Sequence, residues 1–189
     1  MNKSWSAIIK ISLLSILAFG AIVYLTAEKP KSSISSMPNT LSLVGDKKNY
    51  NTNAIFKPNT VVAIGNHDSI SLVKNIPDLV DLKSKNFVIV TNVSSAPWFV
   101  KQYIIPAKLE EIKGNSKIPF VYDSTGEFAI FFKHLNNDKK YYSIHFIDQN
   151  LQASKVAEGN VEDGDLDKNL SRDEQISRLS KTLSEISKI

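Results

Sequence analysis

The sequence predicts an α/β domain: a mixed central sheet covered by helices on both faces, with a β extension at its start and one transmembrane helix before it. Three observations carry that expectation. Thr60–Gly65 and Asn86–Val93 are apolar runs rich in β-branched residues, the composition of strands buried on both faces. Segments with apolar residues at helical spacing lie between such runs. A charge-free apolar stretch, Ile11–Ala27, precedes them all.

Residues 1–10 are a short N-terminal tail carrying Lys3 and Lys10. Residues 11–27, ISLLSILAFGAIVYLTA, read as the transmembrane helix and stop at Glu28-Lys29-Pro30. A helix rises about 1.5 Å per residue and the hydrocarbon core is about 30 Å thick. The run alone is near the short limit for a span; extended back to Ala7, with Lys10 snorkelling to the interface, it is long enough. A cleaved leader has the same order of lysines, apolar stretch and small Ala27, and would release a soluble exported protein. Leu25, where a small residue is favoured before a cleavage site, argues for the anchor instead. Lys3 and Lys10 on one side and Lys29 and Lys31 on the other leave orientation undecided by charge. Export rests on the likeness of the segment to signal-anchors. It places the chain as a single-pass protein of a bacterial-type inner (plasma) membrane, its C-terminal domain periplasmic or otherwise extracytoplasmic. A lipid-modified cysteine is excluded because the chain has none.

Residues 28–40 contain KSSISSMPNT, rich in Ser and almost without apolar periodicity, and read as a linker. Residues 41–189 are enough for one domain with its own hydrophobic core. Within it, Leu41–Val44, the turn Gly45–Lys48 and a short strand from Tyr50 form the β extension. Thr60–Gly65 is a buried strand. Asp68 or Ser69 then caps a helix bearing Ile70, Val73, Leu79 and Leu82, kinked at Pro77. Asn86–Val93 is the second buried strand. Ser95 caps, and Pro97 opens, a helix running to Ile112 that Pro106 kinks or divides. Ile118–Tyr122 is a third short strand, followed by a helix from Ser124 through Leu135. Tyr141–Asp148 and Leu151–Val156 form a hairpin. After an acidic loop, Glu158–Asp167, Ser171 and Glu174 make a capping box for a final helix lined by Ile176, Leu179, Leu183 and Ile186.

Composition removes several classes of function. The net charge is +4, of which Lys3 and Lys10 supply two, and the only arginines are Arg172 and Arg178. Arginine is the preferred reader of phosphates and bases, and the lysines are scattered, so nucleic acid is not an expected partner. The absence of cysteine excludes thiol–disulfide exchange, peroxide reduction at sulfur and thiolate metal sites.

Three stretches, in this order, resemble the thioredoxin-like superfamily, with its peroxiredoxins and membrane-anchored thiol–disulfide oxidoreductases. In Val61–Leu82, Pro77-Asp78-Leu79 sits where the family has Pro-x-Leu about eight residues beyond its redox motif. Pro119–Ala129, PFVYDSTGEFA, is similar to the peroxiredoxin Phe-Pro…Asp-x-x-Gly-x-x-Ala segment. Ile144–Asp148, IHFID, matches the Phe-x-Ile-Asp hairpin strand. The resemblance implies a three-layer α/β/α sandwich. Counting back from Pro77, it puts Ser69 and Leu72 where the redox cysteines would be. Where the family has a cis-proline or an arginine before the hairpin strand, the nearest match is Tyr142-Ser143. No catalytic residue carries over.

The expected function is therefore a membrane-tethered, redox-inactive binding or assembly module without a cofactor. An unidentified protein partner is expected on a surface formed by Asn66, His67, Asp68, Ser69, Tyr142 and Ser143. The edge where a buried strand meets a helix is where ligands bind in open α/β sheets. The alternative at the same edge is a cysteine-independent, hydrolase-like enzyme using Ser69 with His67 and Asp68. Adjacent residues seldom reach one another in triad geometry, however. A metal would need His67, His134 and His145, or a carboxylate, to converge, and none is expected. A calcium loop at Asp165, Asp167 and Asn169 lacks the required Gly and Glu, since Leu170 and Ile176 stand there. Trp98, Phe99 and Tyr103, and Phe128, Phe131 and Phe132, are aromatic clusters at helical spacing, expected as core; adjacent Phe131 and Phe132 cannot both point the same way, which makes an exposed contact patch at one of them the lesser alternative.

Overall fold

A computed structural model describes residues 12, 15, 16, 18–20, 34–162 and 170–189. Most of the expected transmembrane segment Ile11–Ala27, and the calcium-loop residues Asp165, Asp167 and Asn169, lie outside the described residues. Among the described residues, no helix is long and apolar enough to cross a membrane.

The domain is mixed α/β. A two-stranded antiparallel hairpin, β1 (Thr40–Ser42) and β2 (Asn49–Asn51), is followed by one helical turn, α1 (Thr52–Ile55). The main sheet contains β3 (Thr60–Gly65), β4 (Asn86–Asn92), β5 (Phe120–Asp123), β6 (Tyr141–Ile147) and β7 (Ala153–Asn160), in the order β5-β4-β3-β6-β7. β3, β4 and β5 are parallel; β6 runs antiparallel to β3, and β7 antiparallel to β6. Thr60–Gly65 is thus the central strand, and all of its residues are buried, as its continuous apolar run requires. The hairpin is tied to the β5 edge by an antiparallel bridge between Leu43 and Val121 and by Val44 N donating to Phe120 O at 2.8 Å.

Alternation along the strands divides the core in two. Val61, Ala63, Phe87, Ile89 and Phe120 point to one face. There they meet α2 (Ile70–Val73), α3 (Ile76–Leu79), α4 (Trp98–Tyr103), α5 (Ile105–Lys113) and the last helix, α7 (Arg172–Ser187). Val62, Ile64, Val88, Val90 and Val121 point to the other, against Leu41, Phe56 and the short helix α6 (Glu127–Phe131). The capping box of α7 is present: the Ser171 hydroxyl accepts from Glu174 N, and the Glu174 carboxylate accepts from Ser171 N.

The helix expected over Ile70–Leu82 is instead two single turns. Pro77 has no N–H to give the carbonyl four residues back, so α2 ends at Lys74 and α3 starts afresh at Ile76 with Pro77 in its first turn. Pro106 likewise divides the next helix, with the break at Ile104. Ser95 does not cap α4; Pro97 occupies the N-cap and no side-chain bond is made. The hairpin partner β7 runs to Asn160, beyond the expected Val156, and a register shift at Ile144/His145 absorbs the extra residue. Phe132 is buried and Phe131 half-buried, so Phe131 is the more exposed of that pair.

Candidate functional site

The C-terminal end of β3 runs directly into α2, and Gly65 permits it. A Cβ there would stand 2.9 Å from Ser69 Oγ and 3.0 Å from Ile70 Cγ1, so only glycine lets the helical turn pack this close. Ser69 is fully buried. Its hydroxyl lies 2.9 Å from Tyr141 O and 3.1 Å from Asn66 O, both acceptors. It neither caps α2 nor faces solvent. Leu72 is buried in the core beneath it. Ser69 and Leu72 are therefore both scaffold.

Asn66 is buried and its orientation is fixed by its neighbours. Its amide N donates to Asn136 O at 2.8 Å and Asp138 O at 2.6 Å. Its Oδ1 accepts from Asn92 Nδ2 at 2.9 Å and faces His134 Nε2 at 3.0 Å. Since Oδ1 can only accept, His134 carries its proton on Nε2 and leaves Nδ1 as an acceptor. The Ser143 hydroxyl, 2.7 Å from His134 Nδ1, donates there and accepts from His145 Nε2 at 2.9 Å. A single directed chain thus runs from His145 through Ser143 and His134 to Asn66, every member buried. Both rings are neutral in it. Burial lowers His134 to about 3, helped by His145 and Lys155, and burial with Lys155 lowers His145 to about 4.

Tyr142 points to the opposite face of β6, and its hydroxyl bonds Thr182 Oγ1 at 2.9 Å, tying the sheet to α7. Gly159 lies opposite it in register; a Cβ there would come within 2.7 Å of the Tyr142 hydroxyl. Of the six residues expected to form a binding surface, Asn66, Ser69, Tyr142 and Ser143 are buried, and of these four Asn66 lines the cleft described below. Polar side chains at strand ends read as surface from sequence, but here they are satisfied inside the domain by backbone carbonyls and by Asn92, His134, His145 and Thr182.

His67 and Asp68 remain at the surface. His67 Nδ1 lies 2.6 Å from Asp68 Oδ1, and Lys139 Nζ lies 3.0 Å from Asp68 Oδ2. Burial pushes the Asp68 carboxyl up, but His67 and Lys139 outweigh it and hold the group below its usual range. The ring of His67 is thus engaged by Asp68 while the Ser69 hydroxyl turns inward, so the three are not assembled as a nucleophile set. Among the described residues, no group of histidine and carboxylate side chains is placed to hold a metal ion.

A cleft of about 380 Å³ opens beside this edge, between α2 and the α4–α5 pair. Ile70, Val93, Ala96, Val100, Ile105 and Leu109 form its walls, and Asn66, His67, Asn92, Lys108 and Lys139 are among its polar residues. Trp98, Tyr103 and Ile104 stand exposed on and just after α4, with Ile104 also lining the cleft. Sequence reasoning missed this cleft and the roles of Asn92 and His134. Helical periodicity at Val100–Ile112 signals an apolar face but not that part of it is left uncovered. Asn92, at the end of an otherwise apolar strand, was the one local hint of a buried polar partner.

Asp123 closes β5 and explains the Asp-x-x-Gly spacing. It is buried, and its carboxylate accepts from Ala129 N at 2.9 Å at the start of α6, with Gly126 in the left-handed conformation between them. Burial pushes it up to about 6 despite the backbone N–H groups of residues 126–129.

Comparison with protein families, curated proteins and solved structures finds no match to this chain.

Proposed function

We propose that the chain is a membrane-tethered, redox-inactive binding module of thioredoxin-like type, facing the periplasm or another extracytoplasmic space and holding a protein partner. The observation that carries this reading is the state of Ser69 and Leu72. Both are buried and built into the scaffold, so the edge that would react in a thiol enzyme offers no reactive group. The sheet order, the β1–β2 extension and the antiparallel β6–β7 pair after three parallel strands support the thioredoxin-like resemblance. The tether rests on the apolar Ile11–Ala27 run. With four of the expected contact residues buried, the partner meets His67 and Asp68 and the exposed Trp98, Tyr103 and Ile104 around the cleft mouth.

Site-specific photo-crosslinking in the native membrane tests this. A photoreactive residue at Tyr103 is expected to trap a defined protein, and one at the exposed Lys155 on β7 is not. Equal trapping from both positions, or none from Tyr103, refutes the reading.

A further inference from the structure

The cleft beside the β3–α2 edge has a lining that selects for more than apolarity. Its walls are aliphatic, and among the residues that line it two carry ammonium groups, Lys108 and Lys139, while none carries a carboxylate. Each of these lysines has an acidic partner outside that lining: Glu111 lies 3.1 Å from Lys108 Nζ, and Asp68 lies 3.0 Å from Lys139 Nζ. An ammonium has three protons to donate, and exposed ion pairs are weak, so a bound anion can compete for each lysine. Asn66 and Asn92 reach the cleft, but their amide groups are engaged in the buried network. His67, Ser95 and Asn137 add further polar lining, and Lys108 and Lys139 supply its ammonium groups. Its volume of about 380 Å³ lies at the lower end of small-molecule sites and is far too small for a folded partner.

We infer that this cleft binds a medium-chain carboxylate, an aliphatic tail against α5 and Val93 with its anionic head at the lysines. The inference deepens the binding-module reading and rests on its premise that this edge binds rather than reacts. Burial of its methylenes makes the tail the main source of affinity, and the lysines choose the head group.

Labelling of the full-length chain in lipid nanodiscs with a diazirine-bearing decanoic acid, with adducts mapped by mass spectrometry, tests it. Adducts are expected between Val93 and Ile112, displaced by unlabelled decanoate. The matching diazirine decanol is expected to label severalfold less. Lys108→Gln with Lys139→Gln should reduce acid labelling about fivefold, the effect of about 1 kcal/mol. Ala96→Trp, which fills the cleft from its half-buried wall, should abolish it. If Ala96→Trp does not melt like the parent by circular dichroism, Val100→Trp serves in its place. Adducts confined to Ile11–Ala27, equal labelling by the alcohol, or undiminished labelling of a folded cleft-filling variant would each overturn the inference. Should labelling fail while crosslinks from Tyr103 persist, the carboxylate is wrong and the binding module stands. Loss of both removes the two together.

Discussion

Ser69 shows how burial settles what a side chain at the start of a helical turn can do. A cysteine at the start of such a helical turn reacts because its sulfur is exposed and its thiolate stabilised. Here the side chain is fully buried, its hydroxyl bonded to two carbonyls. Ser69→Cys is therefore expected to leave a thiol that a water-soluble thiol reagent does not modify until the protein unfolds. Fast modification of the folded variant would show that the turn is open. His134 is held by bonds at both ring nitrogens. His134→Leu would deprive the Ser143 hydroxyl of its acceptor and Asn66 Oδ1 of one donor, and should lower stability by about 2–3 kcal/mol in urea unfolding. A loss below about 0.5 kcal/mol would mean the network is not formed.

Elements were legible in the sequence wherever one local rule decided them. Thr60–Gly65 and Asn86–Asn92 are strands because continuous β-branched runs have no other stable use in a small domain, and both are central in the sheet. The capping box at Ser171 and Glu174 was readable from two residues. Ser171→Ala should cost about 1 kcal/mol, seen as a lower thermal midpoint, and a midpoint equal to the parent's would contradict the observed cap. Legibility failed where two rules met. The apolar spacing across Ile70–Leu82 outlines one helix, but Pro77 divides it into turns too short to carry a useful helix dipole. The site was the least legible part. Asn66, Ser143 and Tyr142 are polar residues near strand ends, and only tertiary pairing shows that they bond Asn92, His134, His145 or Thr182 inside the domain.

At the scale of the molecule, the buried titratable groups set its response to acid. His134 and His145 titrate at about 3 and about 4 when folded, against an ordinary histidine value of 6.5 in the unfolded chain. As pH falls below 6.5 the unfolded state takes up protons first, and each ring lowers stability by about 1.4 kcal/mol per unit. Asp123 opposes them: its folded value of about 6 lies above 3.8, so the folded state takes its proton first between those limits. Two losses against one gain leave a net fall of about 1.4 kcal/mol per pH unit between pH 6 and about 4. Urea midpoints at pH 7, 5.5 and 4.5 should decline accordingly, and flat midpoints would place charged or solvated histidines in the fold.

The two margins of the main sheet are finished differently. At β5 the N-terminal hairpin occupies the margin, while among the described residues β7 pairs only with β6 and carries exposed Lys155 and Glu158 joined at 2.7 Å, beside a bulge. Charge and irregular twist at an unpaired margin discourage another chain from stacking there. A protein crowded against many copies of itself thus has its most adhesive backbone already blunted, so self-association through strand addition is disfavoured without any dedicated cover.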